Sequence, residues 1–354
     1  MVMLNRFAKV VVCLATVAQL GASLDAAAAQ RTTKPSVAKP AKAQATPARA
    51  TTKKTYSATS ARNRRAQLAR ARALARAREL REVQTPRFKV DEFGREVPDV
   101  RAEAAIIYNP QTNEVLWEAH AQDQRSMASI TKVMTALVFL DSGADLTMPV
   151  TVQRTDVLHA STTYLRAGYK LTADDLLNLL LVGSDNAAAR ALARVSPYGS
   201  EQFINKMNEK AETLGLTNTH YADPSGLLSE NVSSAFDLAR LIAYAAADER
   251  IGGIMRKSSY QTYSGKSLIS AHSTNQIVRS GDIDVVGGKT GFISRSGYCL
   301  ATLLRLPDTG QQVAFVVLGA KSNASRFWET RHLFNWMSTR SKALLDGTQH
   351  QEEH

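Results

Sequence analysis

Ala104-Ala105-Ile106-Ile107-Tyr108 and Glu114-Val115-Leu116-Trp117-Glu118 are two short β-prone runs, separated by Asn109-Pro110-Gln111-Thr112-Asn113, a turn composition. The pair predicts a hairpin that opens the folded domain near Val100. Beyond it, Met127 to Leu140 reads as one apolar helix, and Thr172 with Asp175 forms a capping-box pattern ahead of Leu176-Leu177-Asn178-Leu179-Leu180-Leu181. Further helices are predicted at about 200 to 214 and 234 to 247. Strand-like runs return at Val285-Val286, Tyr298 to Leu304 and Val313 to Leu318, before a last amphipathic helix around Arg326 to Leu345. A hairpin at the start, helices in the middle and strands at the end predict an α+β domain over 100–346. Its antiparallel sheet would draw on both ends of the chain and pack against a helical subdomain. Residues 347–354 read as a polar tail.

The residues before this domain look different. Asn5, Arg6 and Lys9 precede an apolar run from Val10 to Leu20 and then Ala27-Ala28-Ala29, the order of a secretory signal peptide over 1–29. The run is short of the roughly 20 residues that span a bilayer. Val12 before Cys13 does not suit a lipoprotein cleavage site. Residues 30–99 are predicted to be a disordered Ala, Lys and Arg-rich linker, with a basic helix possible from Ala61 to Glu82. Leu68, Leu74 and Leu80 recur every six residues and make no heptad seam. The formal charge of +12 is concentrated here: 17 Lys and Arg stand against Glu79 and Glu82 between Arg31 and Lys89, so the remainder from residue 90 is mildly acidic. The basic pI therefore belongs to the linker, and no nucleic-acid surface is expected on the domain. With Cys13 in the signal segment, Cys299 is left as a lone, buried-type cysteine.

Three short elements carry the chemistry: Ser129-Ile130-Thr131-Lys132, Ser184-Asp185-Asn186 and Lys289-Thr290-Gly291. The first two are weak alone, since S-x-x-K also occurs at Ser36 to Lys39, and S-x-N at Ser229 to Asn231 and Ser273 to Asn275. Context separates them. Ser36 lies in low-complexity sequence, whereas Ser129 opens an apolar helix on which positions i and i+3 share a face, so that Ser129 Oγ and Lys132 Nζ can meet. A lysine base must be neutral, and burial together with a second cation, here Lys289, would favour that form.

The three elements in this order resemble the S-x-x-K, S-D-N and K-T-G set of penicillin-binding proteins and serine β-lactamases. The stretches Ala128 to Ala136, Leu180 to Ala188, Thr219 to Leu227 and Gly288 to Phe292 narrow the resemblance to low-molecular-weight serine DD-peptidases, the D-alanyl-D-alanine endopeptidases and carboxypeptidases. It extends from about 103 to 340. The resemblance implies that Ser129 attacks a D-alanyl carbonyl of peptidoglycan, that Lys132 takes its proton, and that Ser184 relays a proton to the leaving amine. Asn186 would bind the stem peptide. Lys289 and Thr290 would hold the terminal carboxylate, with Lys289 also keeping Lys132 neutral. Gly291 completes the third element and is counted with the substrate-binding residues, and the N–H groups of Ser129 and Phe292 would form the oxyanion hole. Ile293 departs from the threonine that many relatives carry there.

The resemblance further implies no cofactor and no metal, stem peptides as substrate, β-lactams as covalent inhibitors, and a periplasmic enzyme that is soluble or loosely wall-associated. The basic linker could add electrostatic contact with anionic envelope polymers. His350 and His354 lack an H-E-x-x-H pattern. Glu201 to Asn205 is the nearest match to the E-x-x-L-N of a class A β-lactamase, but it lies in a predicted amphipathic helix. A non-catalytic wall-binding scaffold would not need Ser129, Lys132, Ser184 and Lys289 together. Carboxypeptidase relatives commonly add a β-rich domain and a membrane helix after the catalytic domain. The stretch after Leu345 leaves no room for them, which favours the endopeptidase reading over the carboxypeptidase one.

Overall fold

The computed structural model describes residues 58–352. The predicted signal segment, the S-x-x-K at Ser36 and the linker as far as residue 57 lie outside them. Helix α1 (Ala58–Gln84) is built from Ala, Arg and Leu, all strong helix formers, and carries eight arginines against Glu79 and Glu82. From Ala61 to Glu82 every residue is exposed, and Val83 is the first to be buried.

Strands β1 (Phe88–Val90) and β2 (Glu96–Pro98) then pair antiparallel. This corrects the expectation of disorder up to residue 99. The Asp91 carboxylate accepts bonds from the N–H groups of Phe93 and Arg95, Gly94 takes a left-handed conformation at φ +75°, and Val97 is buried. Those turn contacts order a segment whose composition alone reads as linker.

Strands β3 (Ala104–Asn109) and β4 (Glu114–Ala119) form the predicted hairpin, with Asn113 left-handed in its turn. A short β5 (Arg125–Ser126) and a 3₁₀ turn (Ala128–Thr131) lead into α2 (Lys132–Asp141). The single helix expected from Met127 thus begins one turn later, because Ala128 is left-handed at φ +49°. The helical middle continues through β6 (Pro149–Thr151), α3 (Arg154–Val157), β7 (Lys170–Thr172), α4 (Ala173–Val182), α5 (Asn186–Val195) and α6 (Gly199–Thr213). Thr172 and Asp175 make the expected capping box of α4, and Asp185 caps α5 by accepting from Ala188 N. After β8 (Val232–Ser233) come α7 (Ala235–Ala247), α8 (Glu249–Met255), the hairpin β9 (Ser259–Ser264) and β10 (Ser267–His272), and α9 (Gln276–Ser280).

Strands β11 (Val285–Ile293), β12 (Gly297–Arg305) and β13 (Gln312–Ala320) return to the sheet, and α10 (Asn323–Glu352) closes the described chain. That helix runs through the predicted polar tail, whose Gln and Glu residues favour a helix. The sheet has the order β11-β12-β13-β3-β4 and every pairing is antiparallel, so both ends of the chain contribute as expected. Its centre is buried on both faces. Ala314, Val316 and Leu318 face α7 and belong to the core it shares with α2 and α4 to α6, while Val313, Phe315 and Val317 pack with Phe327, Leu333 and Phe334 of α10. This is why β13 reads as an unbroken apolar run. Strand β11 is left at one edge, and it lies against the 3₁₀ turn that carries Ser129.

Candidate active site

Ser129 sits on that turn directly after the left-handed Ala128, a conformation that a non-glycine residue adopts only when its surroundings impose it. Two close backbone approaches impose it here. A Cβ on Gly226 would come 2.0 Å from Ala128 O, and one on Gly291 would come 2.5 Å from Met127 O and 3.3 Å from Ser129 N. Glycine is therefore required at both positions, and strand β11 is held against the nucleophile's own N–H.

Lys132 is fully buried at the start of α2. Its Nζ reaches Ser129 Oγ at 2.9 Å, Asn186 Oδ1 at 2.5 Å and the backbone carbonyl of Ser225. Burial pulls its pKa from an ordinary 10.5 to about 7, with Asp223 and Asp185 opposing that fall and the charge of Arg190 adding to it. A neutral amine has two N–H groups and one lone pair. Asn186 Oδ1 and Ser225 O can only accept, so they take the N–H groups, and the lone pair is left for the hydroxyl of Ser129.

Ser184 lies in the turn between α4 and α5, left-handed at φ +58°. Its Oγ accepts from Lys289 Nζ at 2.8 Å, and Lys289 also donates to Thr290 O at 2.9 Å. The Ser184 hydrogen therefore stays free for another acceptor. Lys289 is buried, and burial followed by the charges of Lys132 and Arg326 holds its pKa well below the ordinary value. The charges of Lys132 and Lys289 disfavour one another, so each lysine favours the neutral form of the other.

Asn186 is also a partner of the base. Its oxygen is taken by Lys132, and its Nδ2 donates to Ala160 O at 2.6 Å, so it fixes the base and has one N–H left for a ligand. Ser129, Ser184, Asn186, Thr290 and Phe292 meet around one cleft of roughly 380 Å³. Lys289 lies beneath that cleft. The hydroxyls of Thr290 and Thr274, 2.6 Å apart, line the cleft. The Phe292 ring forms the rim, half-exposed and stacked on Tyr298 at 4.2 Å. Ile293 lines the same rim. Such a cleft can bind an acyl group beside a serine activated by a neutral amine. Glu201 is exposed on α6 and does not line it. His220 is exposed too, bridging Val232 through its backbone.

The model of the D-alanyl-D-alanine carboxypeptidase family, Peptidase S11, matches residues 91–322. The chain belongs to this family of serine DD-peptidases. It is 36% identical over 228 residues to the D-alanyl-D-alanine endopeptidase of Haemophilus influenzae, covering 64% of this chain and 78% of that one. It is 32% identical over 246 residues to the D-alanyl-D-alanine endopeptidase of Escherichia coli, covering 68% and 79%. Among solved structures it resembles the DD-transpeptidase of Streptomyces K15, with TM-score 0.63 and 28% identity over 68% of this chain and 97% of that one.

Several residues of this DD-peptidase cleft escaped the motif reading. Thr274 belongs to the Ser273 to Asn275 stretch that looked like a chance S-x-N, and Asn231 belongs to the other. Buried Asn231 binds Asp223 and the N–H of Ala222. Asp223 in turn accepts from the N–H groups of Ser225, Gly226 and Leu228. That loop aims the Ser225 carbonyl at Lys132 and presses Gly226 onto the nucleophile turn. Arg326 donates from the other side to the carbonyls of Gly291 and Cys299. Cys299 is buried and free. Among the described residues no group of three His, Cys, Asp or Glu could hold a metal ion, and no helix is long and apolar enough to cross a membrane.

Proposed function

We propose that this serine DD-peptidase is an endopeptidase that cuts D-alanyl crosslinks of peptidoglycan through an acyl-enzyme on Ser129. The hydrogen bonding of Lys132 carries the reading: its two other partners are pure acceptors, so Ser129 is the one group that can give it a proton. Ser129 Oγ attacks the D-alanyl carbonyl while its proton passes to Lys132 Nζ. The N–H groups of Ser129 and Phe292 would receive the developing oxyanion, consistent with the close approach of Gly291 to Ser129 N. The proton taken by Lys132 is relayed through Ser184, whose oxygen is held by Lys289, to the leaving nitrogen, which leaves Lys132 neutral again. Water then attacks the ester, with Lys132 again as base. Thr290 and Thr274 receive the substrate carboxylate above buried Lys289, and the free N–H of Asn186 the peptide stem.

Cutting of crosslinks, and not only of terminal D-alanine, is supported by the H. influenzae and E. coli relatives, both named endopeptidases. The enzyme is proposed to be exported to the periplasm by residues 1–29 and to be acylated by β-lactams. Its basic arm, which includes α1, is proposed to concentrate it on anionic envelope polymers. Fluorescent penicillin should label the wild type covalently and leave Ser129→Ala unlabelled. The wild type should also convert a crosslinked stem-peptide dimer to monomers by mass spectrometry. Labelling of Ser129→Ala would overturn the mechanism, and release of terminal D-alanine from pentapeptide with the dimer left intact would make the enzyme a carboxypeptidase.

A further inference from the structure

The sheet has a second edge. Strand β4 lies four strand spacings from β11, ~19 Å across the sheet, and no strand pairs with its outer side among the described residues. Between β4, the turn of the β1–β2 hairpin and α10 lies a cleft of roughly 730 Å³, larger than the reaction cleft. That is within the ~300–1,000 Å³ typical of ligand clefts.

Three aromatic rings from three separate elements line it: Phe93 from the hairpin turn, Trp117 from β4 and Trp336 from α10. Phe93 is 72% exposed at the tip of a turn, where it adds nothing to the core. Val90 and Val115 add exposed aliphatic surface beside it. The guanidinium of Arg95 lies over the Phe93 ring at 4.9 Å, and that of Arg340 over the Trp336 ring at 5.0 Å. Charge around the cleft cancels, with Lys89, Arg95 and Arg340 facing Asp91, Glu92 and Glu118.

We propose that this cleft binds the glycan strand of peptidoglycan, a chain of N-acetylated amino sugars. The proposal rests on peptidoglycan being the substrate. A pyranose ring has an apolar C–H face and a rim of hydroxyls. The first suits an exposed aromatic ring, and the second suits guanidinium and carboxylate groups set around that ring. The N-acetyl methyl groups suit Val90 and Val115. Cancelled charge suits an uncharged polymer and is a poor match to a polyanion, which the arginines of α1 would fit better. An extended peptide added to the edge of β4 is the competing occupant. It would bind through main-chain groups and would leave the exposure of Phe93, on a different element, without a purpose. With ~19 Å between the two edges, a bound strand leaves the reaction cleft open.

The probe is N-acetylglucosamine tetramer, which carries no stem peptide, titrated against the full chain by tryptophan fluorescence. Trp117 and Trp336 line this cleft and Trp328 does not. Saturable binding is expected, weakened at least tenfold in Phe93→Ala and in Trp336→Ala, and unchanged once Ser129 is blocked by penicillin. Phe93→Ala removes an exposed ring and tests the idea even where Trp336→Ala disturbs the fold. Absence of saturable binding, affinity unaffected by Phe93→Ala, or competition by an extended peptide in place of the sugar would overturn the proposal. Penicillin acylation rates measured on the same samples should be equal in wild type and Phe93→Ala. Loss of acylation in the wild type with sugar binding intact would count against the peptidase mechanism and leave the cleft standing.

Discussion

Acylation should be governed by the proton on Lys132. Its pKa of about 7 makes the amine about one-tenth neutral at pH 6, half neutral at pH 7 and about nine-tenths neutral at pH 8. The second-order rate of acylation by penicillin, measured by stopped flow, should therefore rise about tenfold from pH 6 to pH 8 and then flatten. Burial is the main cause of the low value and cannot be removed without removing the site. Arg190 can be changed: its charge lowers the pKa of Lys132 from a position where its guanidinium bonds Leu158 O at 2.6 Å, outside the reaction cleft. Arg190→Gln should raise the pKa of Lys132 and move the midpoint of the profile to higher pH, with the plateau unchanged. A rate that is flat from pH 6 to pH 9 would refute a neutral-lysine base. A midpoint that moves to lower pH in Arg190→Gln would refute the electrostatic account.

The same lysine should also lower stability. The fall from 10.5 to about 7 corresponds to ~5 kcal/mol of native-state penalty, present in full below pH 7. Between about 7 and 10.5 the unfolded chain holds a proton that native Lys132 has shed, so stability rises with pH across that window. Lys132→Met removes the penalty but leaves Asn186 Oδ1 and Ser225 O without their donor, at ~1–3 kcal/mol each. The difference in Tm between variant and wild type should therefore fall in the variant's disfavour from pH 7 to pH 10, as measured by calorimetry, and a constant difference would refute the linkage. A protein starting at Thr85, which keeps the β1–β2 hairpin, should acylate at the full-length rate but pellet less with purified sacculi at low salt, and the two should converge at high salt as exposed charges are screened over ~10 Å at 0.1 M. Unchanged pelleting at every salt concentration would remove the arm's proposed role.

What could be read from the sequence was what is local. Ser129 and Lys132 are three residues apart on one turn, and β3 and β13 announce themselves because both faces are buried, leaving unbroken aliphatic runs. The β9–β10 hairpin is not legible for the opposite reason: β9 alternates Tyr260, Thr262 and Ser264 on its less exposed side, so its period is not marked by aliphatic residues. The hairpin at 88–98 buries only Val97 and Pro98 among its strand residues and depends on the Asp91 turn contacts, too little apolar signal to stand out from linker. The site shows the same division more sharply. Thr274 reaches Thr290 across 16 positions and the Ser225 carbonyl reaches Lys132 across 93, contacts for which no spacing rule exists. The electrostatics follow from those contacts. Burial lowers the pKa of Lys132, and the acceptors that fix its N–H groups are Asn186 Oδ1 on α5 and Ser225 O, the second held in place by the loop of Asp223 and Asn231. The motif names the residue that can be the base, and the fold supplies the environment that makes it one.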